Sequence, residues 1–310
     1  MSRLIPRARI AWPALLGALA LCHAAAAPAQ ATAEAPLCGT GPLEILLTND
    51  DGFEAPGIRA LHAALRAAGH RVRLVAPAAN ASGSSSSFTW GRVTVTRNES
   101  DADVFGVAGT PATAVVLGAT ALYPPGVRPD LVVSGINDGT NTGSVLALSG
   151  TVGGAMAGTM LLDPPVPGFA VNAERPATPE ARSALPQQHL EQVAAHFTRL
   201  LDSARGWFCE RGRVVRATTA LNVNYPARAV ATVGGIRVAT QGRTTDLHLV
   251  FEPVGDGVYD SKRKPGPAAR DARDSDNVLL AAGYVTVTPV SAVLGERDVP
   301  LRSLERRLAK

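Results

Sequence analysis

Apolar and polar positions along the chain follow the periods of strands and helices in turn. The apolar run Glu44–Thr48 predicts a buried strand, and apolar residues at three- and four-residue spacing from about Ile58 to Ala68 predict a helix. Gly69 is expected to end that helix, and Val72–Ala76 predicts a second strand directly after it. This order is typical of a βαβ unit, which predicts a parallel sheet with right-handed crossovers.

The alternation continues through most of the chain. It predicts further strands at Arg92–Thr96, Val104–Val107, Asp130–Ser134, Phe169–Asn172 and Ala220–Asn224, and further helices from Pro111 to about Leu122, near Thr151–Leu161 and at Pro186–Ser203. We therefore expect an α/β fold with a Rossmann-like, doubly wound and mostly parallel sheet, whose core the strand Ala220–Asn224 closes. The segment Pro77–Trp90, rich in Ser, Ala, Asn and Gly, is typical of a mobile loop or lid.

The pattern of apolar and polar positions changes near Gly235. Strand-like pieces at Gly235–Ala239, Asp246–Phe251 and Tyr284–Val290 are separated by polar turns, and Lys262–Asp276 predicts a long exposed arm. No linker marks the change. We therefore expect residues 32–310 to form one domain, with a core at about 43–234 and a C-terminal β-rich extension at about 235–310.

The first 31 residues have the order of a secretory signal peptide. Three arginines precede a short apolar run, and a small-residue stretch then offers cleavage sites ending at Ala29 or Ala31. The apolar run falls short of the roughly 20 residues that span a bilayer. We expect a periplasmic protein with no membrane span after processing. Removing three arginines and no acidic residue lowers the formal net charge from +4 to about +1, which gives no support for binding a nucleic-acid polymer.

Two cysteines, Cys38 and Cys209, remain once Cys22 leaves with the signal peptide. An oxidising compartment allows a disulfide between them. The sequence leaves the pairing open, because it does not show whether their backbones lie close enough.

The strongest chemical signal is Asn49-Asp50-Asp51-Gly52, directly after the first predicted strand. Ligands of open α/β sheets bind beyond the carboxyl ends of the strands. Adjacent carboxylates repel each other there, and a hard divalent cation such as Mg²⁺ or Mn²⁺ removes that cost. The same four residues also make a good turn, so the motif alone leaves both interpretations open.

The loop after Asp130–Ser134 reaches the same sheet edge. Asn137 offers a neutral oxygen ligand, and Ser149-Gly150-Thr151 opens a helix whose first amides favour phosphate. The alternative is an ordinary flexible connection. Ser82, after the second strand, has a hydroxyl that can reach the cation, although serines in such loops are more often only solvated.

Several mechanisms lack their residues. The chain has no GxSxG nucleophile elbow, no GxxxxGK[ST] phosphate loop and no GxGxxG fingerprint, and its six histidines form no HxH or HExxH pair. An aspartyl-phosphate phosphatase would place Asp-x-Asp after the strand, whereas the aspartates here are adjacent.

Taken together, several ordered motifs resemble the SurE survival-protein family, whose members are metal-dependent nucleotidases. They are ILLTNDDGFEAPGI, APAANASGSSSS, the GTP at 109–111, DLVVSGINDGTNTG, SGTVGGAMAG, LNVNYP at 221–226 and GYVTVTP at 283–289. The resemblance implies one divalent metal per subunit, Mg or Mn, bound by Asp50, Asp51, Ser82 and Asn137. It also implies a phosphate site lined by Asn141, Ser149, Gly150 and Thr151, and an extension that embraces a neighbouring subunit in a homodimer or homotetramer.

The chain departs from the family pattern at three places. Thr113 stands where the family usually has an acidic residue after GTP, the segments 246–260 and 262–276 match poorly, and family members commonly lack an export signal. Phe88 or Trp90 could stack on a base from the serine-rich loop, although packing is the commoner role of such aromatics.

We expect hydrolysis of nucleoside 5'- or 3'-monophosphates without a covalent intermediate, with Asp50, Asp51, Asn141 and Ser149 as the catalytic set. Two alternatives stay open: a broad-specificity exported acid phosphatase or exopolyphosphatase, and a periplasmic anion-binding protein. The sequence leaves open the base and sugar preference, the native metal and the aspartate that activates water.

Overall fold

The structure, a computed structural model, describes residues 35–176, 178–183, 188–245, 247–265 and 271–292, so the predicted signal peptide at 1–31 lies outside the described residues. The strands are β1 Glu44–Thr48, β2 Arg71–Pro77, β3 Val95–Arg97, β4 Val104–Val107, β5 Leu131–Asp138, β6 Gly168–Ala173, β7 Cys209–Glu210, β8 Arg213–Val214, β9 Ala220–Tyr225, β10 Ile236–Val238, β11 Leu247–Gly255, β12 Val258–Pro265 and β13 Val285–Val290.

The α-helices are α1 Pro56–Ala67, α2 Pro111–Leu117, α3 Gly150–Leu161, α4 Pro179–Ser183, α5 His189–Ala204 and α6 Asp276–Ala281. Shorter 3₁₀ segments cover Pro36–Cys38, Gly143–Leu148, Arg205–Phe208 and Val230–Thr232, and a π-helical turn, Gly118–Leu122, extends α2. None of the helices in the described part of the chain combines the length and apolar character that crossing a membrane requires.

A nine-stranded sheet organises the described residues, in the order β10-β13-β9-β6-β5-β1-β2-β4-β3. The six strands from β9 to β4 in that order are mutually parallel, and β3 and β13 pair antiparallel with β4 and β9. The predicted α/β class and mostly parallel sheet are confirmed. Because β1 lies between β5 and β2, the loops that follow these three strands meet at one sheet edge.

Alternate residues of the central strands face two separate cores. Ile45 and Leu47 of β1 belong to the cluster that includes residues of α1 and α5, whereas Leu46 belongs to the cluster that includes residues of α2 and α3. All three side chains are fully buried. Two covered faces explain why Glu44–Thr48 is a continuous apolar run rather than an alternating one.

The expectation that Ala220–Asn224 closes the sheet is wrong. The corresponding strand, β9, pairs with β13, and β13 in turn pairs with β10 at the edge. Two strands from beyond Gly235 therefore complete the main sheet. Apolar periodicity marks a strand but does not show which neighbour it pairs with, so this topology could not be derived from the pattern.

The prediction of a long exposed arm at Lys262–Asp276 is also wrong, because both ends of this segment belong to regular elements. Lys262–Pro265 completes strand β12, which pairs antiparallel with β11 in a separate two-stranded sheet. Asp276 begins α6 and is fully buried. Residues 266–270, in the middle of the predicted arm, lie outside the described residues.

The two remaining cysteines, Cys38 and Cys209, form a disulfide with a Cα–Cα distance of 5.7 Å across 171 residues of chain. Beside it, the buried Arg205 guanidinium donates to the carbonyl oxygens of Leu37 at 3.1 Å and Gly41 at 2.9 Å. The covalent bond and the guanidinium together tie the segment before β1 to the end of α5. The question that the sequence left open is thus answered.

Candidate active site

The turn after β1 is built by Asn49. Its side chain donates from Nδ2 to the Gly52 carbonyl at 2.9 Å and accepts from the Gly52 N–H at 3.2 Å, and Asn49 is fully buried. The turn interpretation of the NDDG motif is therefore correct, and it does not compete with the metal interpretation. The turn holds Asp50 and Asp51 at the carboxyl end of a central strand.

Asp50 faces the start of α3. Its Oδ1 accepts from the Thr151 hydroxyl at 2.5 Å, and a Cβ on Gly150 would lie 2.8 Å from its Oδ2, so only glycine allows this approach. Burial raises the pKa of Asp50, although the Thr151 hydroxyl and the backbone groups of Asp50, Thr151 and Gly150 act to lower it. Asp50 is only 3% exposed, so its charged form is destabilised by the loss of hydration.

Asp51 adds a second carboxylate beside the first. Burial, and then the charge of Asp50, raise the pKa of Asp51 to about 6. Its Oδ2 accepts from the Asp138 N–H at 3.2 Å, and the nearby charge of Arg175 also acts to lower its pKa. Neighbouring carboxyls whose pKa values are raised by burial and by mutual repulsion are typical of functional sites.

Of the other two predicted ligands, Ser82 lies on the loop after β2, whereas Asn137 lies in β5 itself, because that strand continues to Asp138 beyond its predicted end at Ser134. Asn137 is next to β1, and its Nδ2 donates to the Gly139 carbonyl at 2.9 Å, so its amide oxygen is the atom that the predicted ligand role would use. Ser82 is exposed, and the N–H of the residue before it, Ala81, donates to the Asp50 carbonyl at 2.7 Å. The structure thus attaches both segments to the aspartate turn.

The donor set fits a hard divalent cation. Two carboxylates, one amide oxygen and one hydroxyl are the oxygen ligands that Mg²⁺ and Mn²⁺ prefer. Among the described residues no group of three or more His, Cys, Asp or Glu side chains could hold a metal. Amide and hydroxyl oxygens, which are not among those residue types, make up half of the predicted set.

The predicted phosphate residues begin α3. Ser149 caps the helix, its Oγ accepting from the Val152 N–H at 3.0 Å, so its own O–H remains available as a donor. The side chain of Thr151 is committed to Asp50, and the backbone groups of Gly150 and Thr151 also act on the Asp50 carboxylate. The carboxylate therefore lies beside the electropositive end of the helix.

Asn141 belongs to a buried asparagine network. Its Nδ2 donates to Asn172 Oδ1 at 2.7 Å, its N–H donates to Asn224 Oδ1 at 2.9 Å, and its carbonyl accepts from Asn222 Nδ2 at 2.7 Å. Asn172 lies on β6, and Asn222 and Asn224 lie on one face of β9. Sequence reasoning missed these three residues, although two asparagines at alternate positions of an apolar strand signal a polar patch on one face.

A second missed group holds the same loop at Gly143. The buried Asp276 carboxylate accepts from the Gly143 N–H at 3.1 Å and from the Gly242 N–H at 2.9 Å, and the Gln241 side chain donates to the Gly143 carbonyl at 3.0 Å. Gly143 has φ +57°, and a Cβ there would clash with the Thr244 carbonyl. The C-terminal segments therefore hold the loop that carries Asn141 and leads to Ser149.

The serine-rich loop between β2 and β3 is pinned at its far end. Thr113 Oγ1 accepts from the Thr89 N–H at 2.8 Å, and Thr110 Oγ1 donates to the Ser87 carbonyl at 2.6 Å. Thr113 therefore supplies an acceptor at the position where an acidic residue was expected. Phe88 packs on the core and contacts Trp90 edge-on at 5.0 Å, and Trp90 is 85% exposed. Base stacking by Trp90 stays a prediction.

Most of the chain is similar in sequence to known proteins. The family model "Survival protein SurE" matches residues 45–247. The 5'/3'-nucleotidase SurE of Yersinia enterocolitica is 37% identical over 263 residues, 83% of this chain and 96% of that protein. Its counterpart in Yersinia pestis strain Pestoides F is 36% identical over 81% of this chain and 91% of that protein. The crystal structure of the SurE protein from Aquifex aeolicus superposes with a TM-score of 0.66 at 31% identity, covering 86% of this chain and 99% of that one.

The Asp276 contacts lead to a stability prediction. Asp276→Ala leaves the Gly143 and Gly242 amides without their acceptor, which costs about 1–3 kcal/mol for each buried group. We expect a lower free energy of unfolding in urea and faster hydrogen exchange at the Gly143 amide. Asp274→Ala, an exposed neighbour, serves as the control and should change stability by less than about 0.5 kcal/mol. Equal stability of the two variants would show that the Asp276 hydrogen bonds do not contribute to the free energy of unfolding.

Proposed function

The chain belongs to the SurE survival-protein family, and on that premise we propose that it is a metal-dependent phosphomonoesterase that hydrolyses nucleoside 5'- or 3'-monophosphates to nucleoside and phosphate. The observation that carries the proposal is the pair of adjacent carboxyls after β1, in which Asp50 contacts the first turn of α3 and Asp51 accepts from the Asp138 N–H at the end of β5. Uncompensated carboxylates at an anion-favouring helix terminus would repel a phosphate substrate, so the arrangement calls for a bound cation.

Asp50, Asp51, Ser82 and Asn137 would hold one divalent ion, Mg²⁺ or Mn²⁺, which when bound polarises a phosphoryl oxygen and favours in-line attack by water. Asp50 also orients that water. Its Oδ1 is held by the Thr151 hydroxyl, which leaves Oδ2 to accept a proton or a hydrogen bond from the water. No covalent intermediate is required, because no activated nucleophile is part of this proposed set.

The opposite side of the substrate contacts donors from the loop and helix. Ser149 accepts from the helix with its oxygen and donates its O–H to the phosphate. Asn141 is fixed by Asn172 through one of its two Nδ2 hydrogens, so the other is the phosphate donor. The amides of Gly150 and Thr151, which act on the Asp50 carboxylate in the structure, are shared with the phosphate and stabilise charge as it shifts in the transition state. These donors are held in place before substrate binds, which lowers the reorganisation that catalysis requires.

The decisive experiment measures phosphate release from nucleoside monophosphates, sugar phosphates and polyphosphate, with Mn²⁺ or Mg²⁺ and with a chelator. We expect phosphate release that prefers nucleotides and that the chelator abolishes. Asp50→Asn should lower kcat/KM by more than about 100-fold, the scale for disturbing a metal ligand's surroundings. Glu54→Gln is the matched control. It removes the same charge from the same loop at an exposed position and should leave release unchanged.

Other outcomes separate the alternatives. Equal release across the panel would favour a broad-specificity exported acid phosphatase or exopolyphosphatase. Stoichiometric phosphate binding with no release under any metal would favour an anion-binding protein and overturn the enzymatic proposal. Release that survives both the chelator and Asp50→Asn would overturn the site.

We also propose that the protein is exported to the periplasm after cleavage of residues 1–31. The Cys38–Cys209 disulfide supports this location, because such bonds persist in oxidising compartments. We expect protein from a periplasmic extract to begin just after Ala29 or Ala31 and, when denatured, to show reactive thiols only after reduction. An intact N-terminus, or a free thiol from Cys22 in unreduced protein, would contradict export with cleavage.

We propose further that the chain assembles as a homodimer or homotetramer through the β11–β12 hairpin. Leu249, Phe251 and Tyr259 lie on one face of this hairpin and are 58%, 70% and 59% exposed, whereas the other face carries a Lys264–Glu252 ion pair at 2.9 Å. A two-stranded sheet with an open apolar face is marginal on its own. Light scattering should give the mass of two or four chains, and Phe251→Asp should lower it. The mass of one chain for the unmodified protein would contradict assembly.

A further inference from the structure

The Ser84 hydroxyl is buried and has no hydrogen-bond partner among the described residues. Buried polar atoms in folded proteins are nearly always paired, and an unpaired one costs about 1–3 kcal/mol. The adjacent residue differs, since the Ser85 hydroxyl donates to the Ala147 carbonyl at 2.8 Å. Ser84 therefore keeps a polar atom that nothing in the described protein satisfies.

The position of this hydroxyl relates it to the candidate active site. A Cβ on Gly150 would lie 2.7 Å from Ser84 Oγ and 2.8 Å from Asp50 Oδ2. The hydroxyl and the carboxylate thus approach the same residue, the first of α3. Asp50 already accepts from Thr151, and Ser84 makes no hydrogen bond to it.

The backbone around Ser84 is held on both sides. Ala81 N–H donates to the Asp50 carbonyl at 2.7 Å, and Ser84 N–H donates to the Ala81 carbonyl at 3.2 Å. On the other side, Ser85 N–H donates to the Leu148 carbonyl at 3.2 Å, and Gly153 has no room for a Cβ against the Ser85 carbonyl. The hydroxyl is consequently presented to the helix terminus by a fixed segment.

We propose that Ser84 is a substrate-contacting residue, whose hydroxyl donates a hydrogen bond to a non-bridging phosphate oxygen of the bound phosphomonoester. This inference rests on the proposed function and adds a donor from the serine-rich loop to those of Asn141 and Ser149. A phosphate oxygen satisfies the unpaired hydroxyl at the position where the dipole of α3 favours an anion. No bond to Ser84 forms or breaks during the reaction. The cost of the unpaired hydroxyl in the free protein is recovered on binding.

The test compares Ser84→Ala with Ser87→Ala, which removes an exposed hydroxyl from the same run. Binding of inorganic phosphate in the presence of Mn²⁺ is measured by calorimetry, together with KM and kcat for a nucleoside monophosphate. We expect Ser84→Ala to weaken phosphate binding by about 10-fold or more, the ratio for one charge-assisted hydrogen bond. Ser87→Ala should bind phosphate as the unmodified protein does. Removing the hydroxyl should leave Tm unchanged or higher, because no protein contact is lost.

Mn²⁺ affinity in the absence of phosphate separates a substrate contact from an effect through Asp50. We expect it to be unchanged in Ser84→Ala. The proposal would be overturned if Ser84→Ala bound phosphate as the unmodified protein does, whether or not its Mn²⁺ binding were weaker. A lower Tm for this variant would also overturn it. If Ser84→Ala behaves like the unmodified enzyme while that enzyme hydrolyses nucleotides, only the role of Ser84 fails. If the unmodified protein neither binds phosphate nor hydrolyses the substrate, the proposed function fails with it.

Discussion

The electrostatic cost of two carboxylates at one strand end is the constraint on which the rest of the site depends. Asp50 and Asp51 are held by a buried asparagine turn after β1, and burial raises the pKa of both. Such a pair is stable only with compensating positive charge. The protein supplies part of it through the Thr151 hydroxyl and the first turn of α3. The proposed divalent cation would supply the remainder.

Binding a phosphate places a second constraint on the same region, because hydrogen-bond donors must approach the anion closely and must not already be bonded to another acceptor. Glycine at position 150 allows the approach, since a Cβ would meet both Asp50 and Ser84. The Ser84 hydroxyl and the Asp50 carboxylate thus both approach the first residue of α3, which Ser149 caps. The serine-rich segment is thus more than a flexible cover, since hydrogen bonds tie it to the turn after β1 and to the segment before α3.

The C-terminal part of the chain supports this site as well as completing the sheet. The β9 asparagines bind the backbone of Asn141, and Asp276 binds the amide of Gly143, across 133 positions of sequence. Strand β13, which follows α6, pairs with β9 itself. A segment that the sequence pattern describes as an extension therefore helps to position the loop that carries Asn141. The β11–β12 hairpin is separate from the main sheet and is the segment through which we propose assembly.

Local signals along the sequence were enough to predict the α/β class, the order of the central strands and helices along the chain, and the position of Asp50 and Asp51 directly after the first strand. Those features depend on periodicity and on turn residues that act over a few positions. Tertiary structure alone decided that β13 and β10 complete the sheet, that Cys38 pairs with Cys209, that Asp276 is buried beneath the Gly143 loop, and that the Ser84 hydroxyl has no partner. Each of these depends on contacts between residues far apart in the chain. Neither hydrophobic period nor local propensity carries information about which distant segments meet.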